Sequence, residues 1–162
     1  MIRLESIAEQ RLRCANNCVQ EVIEKAEKHL TQNGRQLTPS ARCRLNKGAP
    51  EEIANTYHQY VKSFAMLVLN SGLTAALLFT LGKANKEKNE ENVYQLIIKH
   101  LTKWLNYRGH VQKTGQKAIK CIYEMKSAEI RCATLEAIRF LEDLKRVADA
   151  RLYHSKNNKK DE

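Results

Sequence analysis

Hydrophobic residues recur at intervals of three and four along most of the chain, which is the spacing of one face of an α-helix. Near the start, this face consists of Leu4, Ala8, Leu12, Ala15, Val19, Val22, Ala26 and Leu30. The pattern ends at Asn33-Gly34, a typical signal for a helix C-terminus. Near the end, the same spacing links Ile130, Ala133, Ala137, Leu141, Leu144, Ala148 and Leu152. The sequence therefore predicts a long first helix and a long last helix, with Ser127 as the cap of the latter.

Four shorter helices are predicted between the two long ones. The first begins at Pro50 and ends near Leu69, and the second spans residues 73–81. The third is predicted from Glu90 to about residue 106 with Asn89 as its cap, and the fourth from Thr114 to about residue 126. No stretch alternates with a period of two, so the sequence predicts no β-strand.

The very apolar stretch 64–81 is interrupted in its middle by Asn70-Ser71-Gly72. Each half is too short to cross a membrane, since a transmembrane helix needs about 20 apolar residues. We therefore predict a helical hairpin that belongs to the protein core, with Gly72 in a turn where a Cβ is poorly tolerated. The leucines expected in the core are Leu69, Leu73, Leu77 and Leu78.

These elements predict an all-α fold, a single-domain helical bundle of roughly six helices over residues 1–154. The segment 31–49 has little apolar periodicity and is predicted to be a long basic loop. Its cations are Arg35, Arg42, Arg44 and Lys47. Residues 155–162 are polar and are predicted to form a disordered tail.

Composition adds a class of partner to this picture. Among the 162 residues, 28 Lys and Arg outnumber 18 Asp and Glu, which gives a net charge of +10. Such an excess favours a polyanionic partner, with nucleic acid first and an anionic membrane surface second.

The positive charge is concentrated in one part of the sequence. No acidic residue occurs between Asn92 and Tyr123. Lys113, Lys117 and Lys120 are predicted to share one helix face, since they are four and three residues apart. Lys99 and Lys103 form a second pair of lysines, four residues apart. The residues between this pair and the other three lysines offer stacking and hydrogen bonds, as RNA sites often do: Asn106, Tyr107, Arg108 and His110. The alternative is a solvated basic face that improves solubility. The candidate nucleic-acid-binding residues are Lys62, Lys99, Lys103, Arg108, Lys113, Lys117, Lys120, Arg139, Lys145 and Arg146.

Catalytic and metal chemistry find little support in the sequence. The five cysteines are odd in number, and the N-terminus does not resemble a signal peptide, so we expect reduced thiols in the cytoplasm. Cys14 and Cys18 have a spacing that two zinc ligands could use, but no second pair completes a tetrahedral site. His58 and His100 are interpreted as structural histidines. We therefore predict no catalytic residue, no metal and no cofactor.

Three stretches resemble a known family, and the middle one, residues 101–105, resembles the helix that follows the hairpin in that family. The string YHQYVKSFAMLVLNSGLTAALLFTLGK (57–83) is similar to the signature of the small helical subunit of type III-B CRISPR RNA-guided complexes, the Cmr complexes. Residues 131–152 resemble the closing helix of that family. The positions that match are Tyr60, Lys62, Asn70, Gly72, Leu73, Phe79, Leu101, Trp104, Leu105, Thr134, Ala137, Phe140, Leu141, Leu144, Lys145, Arg146 and Ala148.

The resemblance implies a non-catalytic role in antiviral defence. Members of this family stack as a short inner filament beside the backbone and large subunits and help hold the duplex of CRISPR RNA and target RNA. The alternative is a free-standing basic helical regulator that binds DNA. Its recognition helix would have to be the stretch 113–126, where lysines stand in place of the usual base-reading Asn, Gln or Arg.

Overall fold

The computed structural model describes residues 5–32, 49–86 and 92–152, and for residues 29–32 and 49–52 it describes the backbone alone. Six α-helices and no strand lie in these ranges, so the predicted all-α fold of about six helices is confirmed. The helices are α1 (Ile7–Gln32), α2 (Ala49–Ser71), α3 (Leu73–Lys86), α4 (Val93–Tyr107), α5 (Gln116–Tyr123) and α6 (Ser127–Leu152). Most of the predicted loop 31–49 and the predicted tail 155–162 lie outside the described residues.

Side-chain caps fix where several helices begin. Ser6 and Glu9 form a reciprocal capping box at α1: Ser6 N–H donates to Glu9 Oε2 at 2.8 Å and Glu9 N–H donates to Ser6 Oγ at 3.2 Å. The predicted cap of α6 is wrong by one residue. Glu129 Oε2 accepts from the backbone N–H of Lys126 at 3.0 Å, so Lys126 holds the cap position and Ser127 is the first helical residue.

The cap of α4 also differs from the prediction, which placed it at Asn89. Asn92 is the cap, and its Oδ1 accepts from Gln95 N–H at 3.0 Å. Its Nδ2 donates to the carbonyl of Ala84 at 2.7 Å, which joins the end of α3 to the start of α4. This tertiary hydrogen bond fixes Asn92 against the end of α3, and α4 therefore begins directly after Asn92.

The predicted turn at Gly72 between α2 and α3 is confirmed. Gly72 has a φ of +81°, a conformation that side-chain-bearing residues rarely adopt, so the turn requires glycine for its backbone. A Cβ there would meet no atom within 4 Å, so steric contact contributes nothing. The prediction that the second helix ends at residue 81 is wrong, because α3 continues through Gly82 to Lys86.

Two of the four leucines predicted to lie in the core of this hairpin are buried, and two are exposed. Leu73 and Leu77 are buried, as expected, but Leu69 is 55% exposed and Leu78 is 46% exposed. Near the turn, Val68 is the α2 residue that is buried in the core. Neighbouring residues of a helix point about 100° apart, so Leu69 and Leu78 turn away from the faces that Val68 and Leu77 bury.

The two long helices pack side by side with α2, and α4 inserts beside them. The predicted stripe of α6 lies in the core from Ala133 to Ala148, whereas Ala8 and Leu12 of the predicted α1 stripe are exposed. The ring of Trp104 on α4 stacks on Phe140 of α6 with 5.7 Å between centroids. No helix in the described ranges is long and apolar enough to span a membrane.

Candidate nucleic-acid interface

The connection between α4 and α5 determines where the predicted lysines lie. Gly115, with a φ of +66°, is the cap of α5, and its N–H donates to Thr102 Oγ1 at 2.7 Å. This bond anchors the start of α5 on α4, two residues later than predicted. Lys113 therefore precedes the helix, and the prediction that it shares a helix face with Lys117 and Lys120 is wrong.

The lysines of this region nevertheless point to solvent. Ala118, Ile119 and Ile122 bury the inner face of α5, which leaves Lys117 and Lys120 exposed on its other side. Lys120 Nζ lies 4.0 Å from Glu124 Oε1, a marginal ion pair between highly exposed groups. Five predicted site residues are exposed and form no ion pair within the described part of the chain: Lys103, Lys113, Lys117, Arg139 and Lys145.

Three other predicted site residues are held by acids that are distant in the sequence. Lys62 Nζ lies 2.9 Å from Asp149 Oδ1, and Lys99 Nζ lies 2.7 Å from Glu21 Oε1. Arg108 Nε lies 3.8 Å from Glu136 Oε1, with its guanidinium over the Trp104 ring.

Arg146 pairs with an acid of its own helix, and its Nη1 lies 3.0 Å from Asp143 Oδ1. A cation already paired in this way releases fewer counterions on binding a phosphate. The structure therefore divides the predicted residues into two groups. The paired group, with an ion pair, is Lys62, Lys99, Arg108 and Arg146. The free group, without one in the described ranges, is Lys103, Lys113, Lys117, Arg139 and Lys145.

Asn106 and Tyr107, which lie between the lysines in the sequence, contact other residues of the fold. Asn106 Nδ2 donates to the carbonyl of Val111 at 2.9 Å, and it shapes the turn after α4. Tyr107 is 61% exposed, and its ring stacks on Trp104 at 5.5 Å. Of the residues proposed for stacking, Tyr107 thus presents the most open aromatic surface.

The sequence indicated an acid-free stretch from Asn92 to Tyr123, and in the structure α3 also contains no acid. Helices α3, α4 and α5 contain no acidic residue. Their cations include Lys83, Lys86, Lys103, Lys117 and Lys120. The acids that pair with cations of this region lie outside these helices: Glu21 on α1, Glu136 on α6 and Glu124 directly after α5. The described outer surface of α3, α4 and α5 therefore has an excess of positive charge.

His100 is the centre of a buried network that sequence analysis missed. Burial raises the pKa of Tyr57 well above its usual value, so its O–H remains the donor, at 2.7 Å from His100 Nδ1. His100 Nε2–H can then donate to Glu21 Oε2 at 3.4 Å. Burial also lowers the pKa of His100, which keeps the ring neutral. Likewise His58 Nε2 lies 2.5 Å from Asp149, so neither histidine is isolated, and both have structural partners.

We expect Glu21 to make stability pH-dependent. Hydrogen bonds from His100 and Lys99 lower the pKa of the Glu21 carboxyl below its usual value. A carboxyl whose pKa is lowered by folding stabilises the fold above its unfolded pKa of about 4.3, and this contribution is lost as pH falls further. Glu21→Gln should therefore lower the free energy of unfolding by about 1 kcal/mol at pH 7, with the difference from the parent shrinking below pH ~4.

Denaturant titrations of both proteins from pH 7 to pH 3 would measure this difference. Glu24→Gln, an exposed glutamate of the same helix, is the matched control. A difference between Glu21→Gln and the parent that stays constant down to pH 3 would contradict the assignment.

The two cysteines with metal-like spacing are close neighbours on α1. Cys14 is half-buried and Cys18 is buried. A hydrogen bond between the thiols lowers the pKa of Cys14, while the same bond and burial raise the pKa of Cys18. In the described ranges, no group of three or more His, Cys, Asp or Glu side chains could hold a metal ion.

A second surface, on α3, was not predicted at all. Lys83 Nζ lies over the rings of Phe79, Tyr60 and Tyr94, at 4.8, 5.3 and 5.5 Å from their centroids. Tyr60 O–H and Thr80 Oγ1 are 2.9 Å apart, which fixes Tyr60 against α3. The apolar residues of α3 were visible in the sequence, but all of them were interpreted as core residues.

The fold is that of a small all-helical protein in which, among the described helices, α3, α4 and α5 contain lysines and no acid. The comparison with known families then gives the particular assignment. Residues 7–151 match the family model described as CRISPR-associated protein (Cas_Cmr5), and the chain belongs to this family, the small subunits of type III-B Cmr complexes. The resemblance inferred from residues 57–152 is confirmed and extends over α1. The family match also favours a subunit of a Cmr complex over the alternative of a free-standing DNA-binding regulator.

Proposed function

We propose that this chain is a non-catalytic, cytoplasmic subunit that stacks with its own copies as an inner filament of the Cmr complex and helps hold the duplex of CRISPR RNA and target RNA. The observation that carries this proposal is the absence of acids from α3, α4 and α5, together with the exposed lysines there. Guide pairing supplies sequence specificity in RNA-guided complexes, so such a subunit needs only to contact phosphates and sugars.

The free lysines are the residues that we assign to the phosphates. Lys103, Lys113 and Lys117 have no ion pair in the described part of the chain, and Lys120 has a marginal one. Arg139 and Lys145 extend the surface along α6. The paired residues Lys62, Lys99, Arg108 and Arg146 are assigned a smaller contribution, because their charges are already balanced.

The combined variant Lys113→Gln, Lys117→Gln and Lys120→Gln tests this assignment. Each lysine bound to a phosphate releases about one condensed counterion, so the slope of log K against log salt should shrink by ~0.7–0.9 per lysine. Glutamine preserves helix propensity, so the fold should persist. The measurement is the affinity of the reconstituted complex for target RNA at several salt concentrations.

Lys62→Gln is the matched control, because Asp149 already pairs with that lysine. It should change the slope less than any of the three exposed lysines. The loss of affinity should be similar for unrelated guide sequences, since phosphates carry no sequence information. An unchanged slope in a fully assembled complex would refute the proposed RNA surface. Failure to assemble would show that this face meets a protein.

A further inference from the structure

Helix α3 is apolar on two faces, and the bundle covers one of them. Leu73 and Leu77 face the core, where α3 packs on α2, α4, α5 and α6. On the outer side, an exposed stripe recurs at intervals of three and four. We call it the α3 ridge, and it consists of Ala75, Leu78, Phe79 and Gly82. Leu78 is 46% and Phe79 is 52% exposed. A helix that is apolar all round is normally buried all round, so within the described part of the chain the ridge lacks a cover.

Gly82 indicates that the cover approaches closely. It lies inside α3, where glycine is the least favourable residue after proline. The turn-forming glycines have positive φ values, but Gly82 does not, and a Cβ on it would meet no atom within 4 Å. Nothing in the described ranges of the fold therefore requires glycine here. Close approach of an external backbone is a remaining reason for a glycine.

Charge selects the chemistry of that cover. The last turn of α3 contributes Lys83 and Lys86, and the neighbouring α4 and α5 contain no carboxylate. Over the described residues, the complementary surface is therefore apolar and acidic; the next acids of the chain, Glu87, Glu90 and Glu91, lie outside them. A second copy fits poorly, since its groove between α1 and α6 around Leu12 is lined by Arg13, Arg146 and Arg151 and by one carboxylate, Glu9. RNA fits less well, because Ala75, Leu78 and Gly82 offer no hydrogen bond and no ring for stacking, which leaves Phe79 as the one aromatic ring of the ridge.

We propose that the α3 ridge docks an amphipathic helix of another Cmr subunit, whose apolar side chains are flanked by Asp or Glu. This inference rests on the proposed role as a subunit of the complex, but it is independent of the lysines that we assign to RNA. Leu78 and Phe79 provide the apolar contact, Gly82 allows the backbones to approach, and Lys86 faces the carboxylates.

The first test is incorporation into the complex. The full chain carrying Leu78→Gln and Phe79→Gln is co-expressed with tagged backbone and large subunits, and its molar ratio in the purified complex is measured. We expect at least a tenfold loss of incorporation with an unchanged Tm. Leu135→Gln is the matched control, since Leu135 on α6 is 58% exposed and lies outside the ridge. It should be incorporated like the parent.

Gly82→Ala separates docking from folding, should the first variant fold poorly. Alanine in the exposed helix should raise Tm by about 2–4 °C while it lowers incorporation. A purely structural role for the ridge cannot produce these opposite changes. Lys86→Glu should also reduce incorporation, with Lys126→Glu as the control for an exposed lysine elsewhere.

Three outcomes would overturn the proposal. Full incorporation of both Leu78→Gln/Phe79→Gln and Gly82→Ala would show that nothing docks on the ridge. Loss of self-association by the isolated variant, measured by light scattering, would make a second copy the occupant. A reduced salt slope of RNA affinity in a fully assembled complex would make RNA the occupant. Failure of the RNA proposal is distinct, because it appears in the lysine variant, which we expect to be incorporated fully.

Discussion

Leu77→Ala should lower the free energy of unfolding by about 2–5 kcal/mol, the usual cost of truncating a buried leucine. Leu77 is fully buried on the inner face of α3, in the same cluster as Phe64 of α2 and Ile97 of α4. The change removes apolar contacts and leaves a cavity, while helix propensity hardly changes. Urea titration followed by the fluorescence of the single tryptophan, Trp104, would measure it.

The neighbouring leucine supplies the control for this experiment. Leu78→Ala makes the same chemical change on the exposed side of the same helix, and it should alter the free energy of unfolding by about 0.5 kcal/mol or less. Comparable losses for Leu77→Ala and Leu78→Ala would show that the inner and outer faces of α3 have been assigned wrongly.

The outer face of α3 shows why periodicity alone gives an incomplete account of burial. Periodicity locates an apolar face but does not reveal whether the same chain covers it. Leu69 and Leu78 belong to a stretch so apolar that every leucine in it is a reasonable core candidate. The structure separates them because helix phase turns them outward, beyond the reach of the neighbouring helices. Their exposure then becomes informative about partners.

The helix boundaries were predictable where a local signal determines them. The hydrophobic stripes of α1 and α6 and the break at Gly72 are local patterns, and all three were predicted. The capping box of Ser6 and Glu9 is equally local, but it was overlooked. The starts of α4 and α5 depend on tertiary hydrogen bonds, from Asn92 to Ala84 and from Gly115 to Thr102, which no sequence window contains.

The sequence proposes the candidate RNA surface as a region and does not rank its residues. A stretch without acids indicates a positive surface, and in the structure Lys103 of α4 and Lys117 and Lys120 of α5 are exposed. However, the neutralising carboxylates of Lys62 and Lys99 are 87 and 78 residues away in the sequence, as the pairs with Asp149 and Glu21 show. Charge counted along the chain cannot register such pairs, which is why those two lysines were given equal weight with the free ones.

Glu136 joins three helices through a single buried carboxylate. Its Oε1 accepts from Trp104 Nε1–H at 3.0 Å and lies 3.6 Å from Arg11 Nη1 and 3.8 Å from Arg108 Nε. Arg11 is held in addition by Asp143, with 2.6 Å between its Nε and Oδ2. The sequence offered no sign of this network, because its members come from α1, α4 and α6.

Glu136→Ala should therefore lower the free energy of unfolding by about 3 kcal/mol, near the lower limit for a broken buried ion pair. The loss leaves the Trp104 N–H without its acceptor and removes the counter-charge of Arg108, whereas Arg11 retains Asp143. Glu136→Gln keeps an acceptor for the tryptophan and should lose less. Emission of Trp104, the single tryptophan, reports the local change, and urea titration gives the free energy.

Glu142→Ala, an exposed glutamate on the same helix, is the control, and it should change stability by roughly 0.5 kcal/mol or less. A double-mutant cycle of Glu136→Gln with Arg108→Gln then isolates the coupling of the two charges. A coupling near zero would mean that Arg108 is free to meet RNA phosphates, and it would move Arg108 from the paired group to the free one. A clear coupling would show that Arg108 is used to hold α4 against α6, and removing it should then weaken RNA binding less than removing Lys117.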